Sequence, residues 1–167
     1  MTQETIIEML QAYRLNVSKC GLLRIEIDEA ETKLKTMQRT MAEEAATSSG
    51  NGAAGMPRST KISNPTERIG LMLASGEVPQ HITDLKRSIE ELKRELYQRT
   101  IHVNRVDAWL AVLTERERWV VTGHIMDCLT WNDMSKDYEH RYGQPRTRRS
   151  LQRLKRQALR QIARIDR

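Results

Sequence analysis

Phenylalanine is absent from this chain, and tryptophan and tyrosine bring the aromatic share only to 4% of 167 residues. A sandwich or barrel core has too few large side chains to draw on, whereas helices with narrow apolar seams need few. Cysteine is scarce as well: Cys20 and Cys128 stand far apart without CxxC spacing, which excludes a disulfide framework and offers no zinc site. No apolar run approaches the roughly 20 residues of a membrane span, and the polar, acidic start Met1–Glu8 lacks the apolar stretch of a secretory signal. The expectation is an all-α protein of a reducing cytoplasm, with no cofactor, no metal and no membrane partner.

What the chain has in quantity is charge, 30% of its residues, and the charge is unevenly placed. Residues 1–112 carry 15 Lys/Arg and 15 Asp/Glu, whereas residues 113–167 carry 13 and 7, so the whole net +6 belongs to the final third. Within it, Gln144–Arg167 holds nine Lys/Arg against the single acid Asp166. Leu151, Leu154, Ala158, Ile162 and Ile165 recur there at three- and four-residue steps, the spacing of one helix face. That face can pack on a core while the other meets phosphate. A basic pole on an otherwise neutral protein is the footprint of polyanion binding, because each neutralised phosphate releases condensed counterions.

Ahead of this pole the chain is patterned for coiled coil. Ile6, Leu10, Tyr13, Val17 and Cys20 form one seam, and after Gly21 a new register runs through Leu23, Ile27, Ala30, Leu34, Met37 and Met41. The slip fits two helices or one long helix with a stammer. Residues 42–57 are small and flexible in composition, and Asn64-Pro65 opens a possible short helix over Thr66–Ser75. From Gln80 the heptad returns through Ile82, Leu85, Ile89, Leu92 and Leu96 to Val103, Val106, Leu110 and Leu113, and Arg99 alone fails it. The expected organisation is N-terminal coiled-coil helices over 1–46, a linker over 47–79, a second coiled-coil helix over 80–113, and a DNA-binding module over 114–167. The two seams zip against each other as a hairpin or against a second subunit.

Thr114-Glu115-Arg116-Glu117 is a capping box that starts a new helix. Thr130 is the next cap, and the helix from Trp131 should end near Tyr142, where Gly143 takes the left-handed conformation and Pro145 cannot continue. The basic helix, expected from Arg146, follows directly. That order is the layout of a helix-turn-helix, whose second helix enters the major groove N-terminal residues foremost. Arg146, Thr147, Arg148, Arg149, Gln152 and Arg153 are the candidate DNA-contacting residues of its first turns, since Arg grips guanine and Gln grips adenine. Arg156 and Arg160, further along, suit backbone phosphates.

Leu113–Arg118, then Trp131-Asn-Asp-Met-Ser135, then the basic helix ending Gln157–Ile162 together resemble region four of bacterial sigma factors. The piece Gly55–Arg68, lying between two coiled-coil segments, is similar to a motif of the RinA/ArpU family of phage transcriptional regulators. The combination covers most of residues 20–165 and departs from the sigma pattern in the long Lys136–Gly143 stretch before the turn. The resemblance implies a phage-encoded activator of late genes, acting with bacterial RNA polymerase at the nucleoid of the host cell. The expected partners are double-stranded DNA and a second copy of the chain, a homo-oligomer through the coiled coil. Two other readings fit the same elements: a packaging subunit of the small terminase type, in which the DNA-binding module usually comes first, and an interaction scaffold with a solubilising tail.

No active site assembles from the sequence, so no enzymatic activity is expected. His124 and Cys128 lie four apart without a second ligand pair, and Cys128 reads as a small hydrophobe. The Gly50-Asn-Gly52 and Gly55 cluster lacks the Lys-Ser/Thr of a phosphate loop. Asp127, Asp133 and Asp137 have no acid-base partner and read as solvent-facing balance to arginine. Trp109, Trp119 and Trp131 read as the large side chains that close a small helical core.

Overall fold

The computed structural model describes residues 2–49 and 79–166, without the side chains of 44–49. The fold is all-α: every regular element among the described residues is helical. These are α1 (Gln3–Ser49), α2 (Gln80–Ala111), α3 (Glu115–Val121), a π-helical turn (Thr122–Met126), α4 (Trp131–Tyr142) and α5 (Arg148–Ile165). No described helix is long and apolar enough to cross a membrane. The expected short helix over Thr66–Ser75 and the Gly55–Arg68 motif lie outside the described residues.

The chain forms two compact units, Leu22–Leu96 and the remainder, Met1–Gly21 with Tyr97–Arg167. In the smaller unit, α1 and α2 present one seam: Leu23, Ile27, Met41, Ile82 and Ile89 are buried, and Leu34, Met37, Leu85, Leu92 and Leu96 are half-buried. Lys93 Nζ lies 2.9 Å from Glu31 Oε1 at its edge, and that contact pulls the Glu31 carboxyl below its ordinary range. The expected heptads are thus used, but α1 continues unbroken through Gly21 and on to Ser49, three residues into the expected linker. Helix N–H groups bond four residues back whatever the side-chain register, so a slipped seam rotates the buried face without ending the helix.

The larger unit has more than a seam. Ile6 and Leu10 of α1 and Val106, Trp109 and Leu113 around the end of α2 share one core with Val121, Ile125, Ala158, Leu159 and Ile162. The expected boundary at 113/114 therefore cuts through a core, and the correction has a physical reason: α5 offers a full apolar face, and α3 with α4 cannot cover it alone. Val17, expected in the first seam, is 42% exposed. Tyr13 is half-buried and its hydroxyl donates to Asp107 Oδ1 at 2.6 Å. Arg99, the break in the α2 heptad, donates from Nη1 to Asn16 Oδ1 at 3.0 Å. These pairs, with Cys20 Sγ 3.9 Å from Thr100 Oγ1, show α1 and α2 running antiparallel within this unit.

The junction from α2 to α3 is built from the capping box. Thr114 Oγ1 accepts from the Glu117 amide at 3.4 Å, while Glu117 Oε2 accepts from the Thr114 amide at 3.1 Å and from its hydroxyl at 2.7 Å. Glu117 is only 2% exposed, so these donors hold a buried carboxylate. Arg118 closes the other side, donating from Nε to the Leu110 carbonyl at 2.9 Å and satisfying a helix-end acceptor of α2.

Candidate nucleic-acid interface

Three local devices place α5. Thr130 accepts from the Asp133 amide at 3.3 Å and donates to Asp133 Oδ2 at 2.6 Å, which starts α4. Gly143 ends it with φ 65°, its amide donating to the Glu139 carbonyl at 2.9 Å. Thr147 then caps α5 by accepting from the Ser150 amide at 3.4 Å. The basic helix so begins at Arg148 and not at Arg146, two residues later than the sequence suggests. Thr147 is itself extended, with φ −72° and ψ 153°, and its side chain takes the N-cap position in place of a further helical turn.

Under α5 lies a second small core in which Val120, Met134, Tyr138 and Leu151 are fully buried. Aromatic edges seal it: the Trp119 ring meets Tyr138 at 5.6 Å and Tyr142 at 6.3 Å between centroids, both edge to face. Met134 fits because Gly123 opposes it, and a Cβ there would stand 3.2 Å from Met134 Cε. The π turn supplies that glycine, with the Asp127 amide bonded five residues back to Thr122 at 3.0 Å. Trp131 stacks on His124, centroids 3.8 Å apart, and His124 Nδ1 donates to the Leu129 carbonyl at 3.0 Å. His124 is therefore a packing residue of the turn. Cys128, expected to serve as a small hydrophobe, is exposed with φ 54°, an uncommon left-handed conformation for a side chain branching from Cα.

The inward face of α5 is apolar: Leu151, Ala158, Leu159 and Ile162 are buried. Leu159 was outside the expected face, and Ile165, expected on it, is 53% exposed as the last residue of the helix, three beyond buried Ile162. Outward, Arg149, Arg153, Arg156, Arg160 and Arg164 follow one another at steps of four, three, four and four, and all are exposed. At 1.5 Å per residue this stripe is about 22 Å long. Among the described residues none of these five arginines has an ion-pair partner, and the acid Asp166 turns instead to Arg105 at 3.8 Å. Cations facing solvent with no internal partner keep their full affinity for an external polyanion.

The expected contact residues separate on this geometry. Arg149, Arg153, Arg156 and Arg160 lie on the stripe, and half-buried Gln152 borders it. Arg148 is exposed but sits about 100° round the helix from Arg149. Arg146 and Thr147 precede the helix. Arg146 is half-buried, donates from Nη1 to Ser150 Oγ at 3.1 Å, covers the Tyr138 ring at 5.9 Å, and accepts at its carbonyl from Ser135 Oγ at 3.1 Å. Its guanidinium braces the turn. Arg164 extends the stripe beyond the expected set, and its signal was the four-residue step from Arg160.

No model of a known protein family matches the chain, and neither a curated protein nor a solved structure matches it. Lys155, counted with the basic pole, is half-buried 5.9 Å from the Trp131 ring, and burial holds its ammonium below the ordinary lysine range. It belongs to the packed side of the helix. Of the three candidate acids, Asp133 completes the α4 cap, Asp127 pairs with Arg14, and Asp137 is exposed. No group of three His, Cys, Asp or Glu able to hold a metal ion occurs among the described residues.

Proposed function

We propose that this chain is a sequence-specific DNA-binding transcriptional regulator, an activator of phage late genes, whose α5 enters the major groove of duplex DNA. The observation that carries the reading is the unpaired arginine stripe on a helix whose opposite face is locked into two cores. B-form DNA has a major groove about 12 Å wide that admits an α-helix. A-form RNA has a major groove too narrow for one, and unpaired strands bind on aromatic platforms. The outward face of α5 carries Arg and Gln and no aromatic ring, which favours the B-form duplex.

A stripe longer than the groove is wide divides its labour. Arg149, Gln152 and Arg153 in the first turns take base edges, and Arg156, Arg160 and Arg164 take phosphates. Bacterial RNA polymerase is the second partner in this reading, and the host nucleoid is its place of action.

The test is binding to fragments of the parent genome at several salt concentrations, followed by transcription with bacterial polymerase. Arg149→Ala or Arg153→Ala should cost about 1–3 kcal/mol per lost base contact and relax the preferred site. Arg156→Ala, Arg160→Ala or Arg164→Ala should weaken all sites alike and lower the salt slope by about 0.9 each. Binding indifferent to salt, or an unchanged preferred site in the Arg149/Arg153 double variant, overturns the reading. A new transcript that disappears in that variant establishes activation.

A further inference from the structure

Helix α2 carries a second apolar line that no element among the described residues of its unit covers. Tyr97 is 68% exposed and Ile101 and Val112 are each 42% exposed, and Asn104, Ala108 and Ala111 are exposed between them. Tyr97, Ile101, Asn104, Ala108 and Ala111 follow heptad spacing of four, three, four and three, on the side of the helix away from buried Val106 and Leu113. The line runs about 21 Å. Its ionic borders are already engaged inside the protomer, Arg105 with Asp166 and Asp107 with the Tyr13 hydroxyl.

We infer that this line is the seam of a two-fold dimer, in which α2 of one protomer packs antiparallel on α2 of a second copy. Side-chain size decides both the occupant and the direction. Antiparallel pairing sets the largest residue, Tyr97, against the small Ala108 of the second copy, and sets Ile101 against Asn104, so the four central layers fill to similar width, while Ala111 at each end meets the aliphatic stem of Arg94. Parallel pairing would stack Tyr97 on Tyr97 and Ala108 on Ala108, forcing one end apart and leaving a gap at the other. The borders agree: Gln98 faces Arg105 and Thr100 faces Asp107 across the dyad, with no like charges opposed. Asn104 is a polar group of the kind that fixes register at some cost in stability.

The seam is self-complementary, as an isologous two-fold interface requires, and it belongs to the unit that carries α5. Two copies so joined present two arginine stripes related by a dyad, and the matching DNA site is an inverted repeat. That corollary rests on the DNA reading; the dimer does not.

Sedimentation equilibrium of the full chain without DNA tests the dimer independently of nucleic acid. The expected mass is twice the 19.4 kDa of one chain. Tyr97→Glu alone and Ala108→Lys alone should each reduce it to one chain, and the double variant should restore the dimer, because each glutamate then faces a lysine across the antiparallel dyad. Both positions are exposed, so unchanged helicity by circular dichroism separates lost association from lost folding. A wild-type monomer overturns the inference, as does a dimer indifferent to either single change. Single variants that dissociate without rescue in the double overturn the antiparallel alignment.

Discussion

All three tryptophans and all four tyrosines fall in the unit made of Met1–Gly21 and Tyr97–Arg167, and none falls in Leu22–Leu96. Among the described residues the aliphatic unit is a seam between two helices, whereas the aromatic unit closes cores among several. Two helices at heptad spacing meet along a line that Leu, Ile and Met can fill. Short helices crossing α5 leave wider interstices, which Trp109, Trp119 and Tyr138 span. Charge divides the same way: Leu22–Leu96 carries 11 Lys/Arg and 12 Asp/Glu, the other unit 17 and 10. The cationic surface is laid on the part of the chain whose packing holds a helix in one orientation.

The hardest blow to that difference is Trp109→Ala. Trp109 is 2% exposed at the centre of the larger core, and its removal should cost about 3–5 kcal/mol. Ile89→Ala in the seam should cost about 2 kcal/mol, near the low end for such truncations, because an open seam relaxes more readily than a closed core. Urea unfolding followed by tryptophan fluorescence reports the aromatic unit alone, and far-ultraviolet circular dichroism reports both. Ile89→Ala should shift the dichroism midpoint and leave the fluorescence midpoint nearly in place. If both probes move together in both variants, the units unfold as one and the contrast is compositional only.

A smaller effect sharpens the contrast at the entrance to α3. Thr114→Ala removes a cap and one of the two Thr114 donors to the buried Glu117 carboxylate, so the loss should reach about 2 kcal/mol, the upper end for caps. Thr130→Ala removes a similar cap from exposed Asp133 and should cost about 1 kcal/mol. Equal losses, measured as shifts in urea midpoint at constant slope, would mean that burial of Glu117 adds nothing.

Those caps were legible in the sequence because capping is chemistry within four residues. The same holds for Gly143 and for the alternation of charge and apolar residues along α5. Three features were not legible. Ile6 and Leu10 share a core with Ala158 and Ile162, about 150 positions away, and nothing local announces that pairing. The π turn places Gly123 against Met134, a tertiary contact that no local pattern announces. The start of α5 was displaced because Arg146 continues the basic composition while its side chain serves the turn below. Each is a case of non-local packing deciding between locally equivalent options, and the last moves the first exposed stripe position to Arg149.

The two glycines with the clearest backbone roles make the finest comparison. At Gly143 the φ of 65° is left-handed, and Gly143→Ala should cost about 1–2 kcal/mol although nothing lies within 4 Å of the added Cβ. Gly21 also has nothing within 4 Å, but it sits inside α1 with ordinary helical geometry, so the glycine there only enlarges the entropy lost on folding. Gly21→Ala should therefore raise stability by about 0.5–1 kcal/mol, seen as a higher midpoint in thermal unfolding. Opposite signs from the same one-methyl change, in equally open surroundings, would isolate backbone conformation as the cause. A loss at position 21 would mean instead that this face of α1 is closely approached in solution.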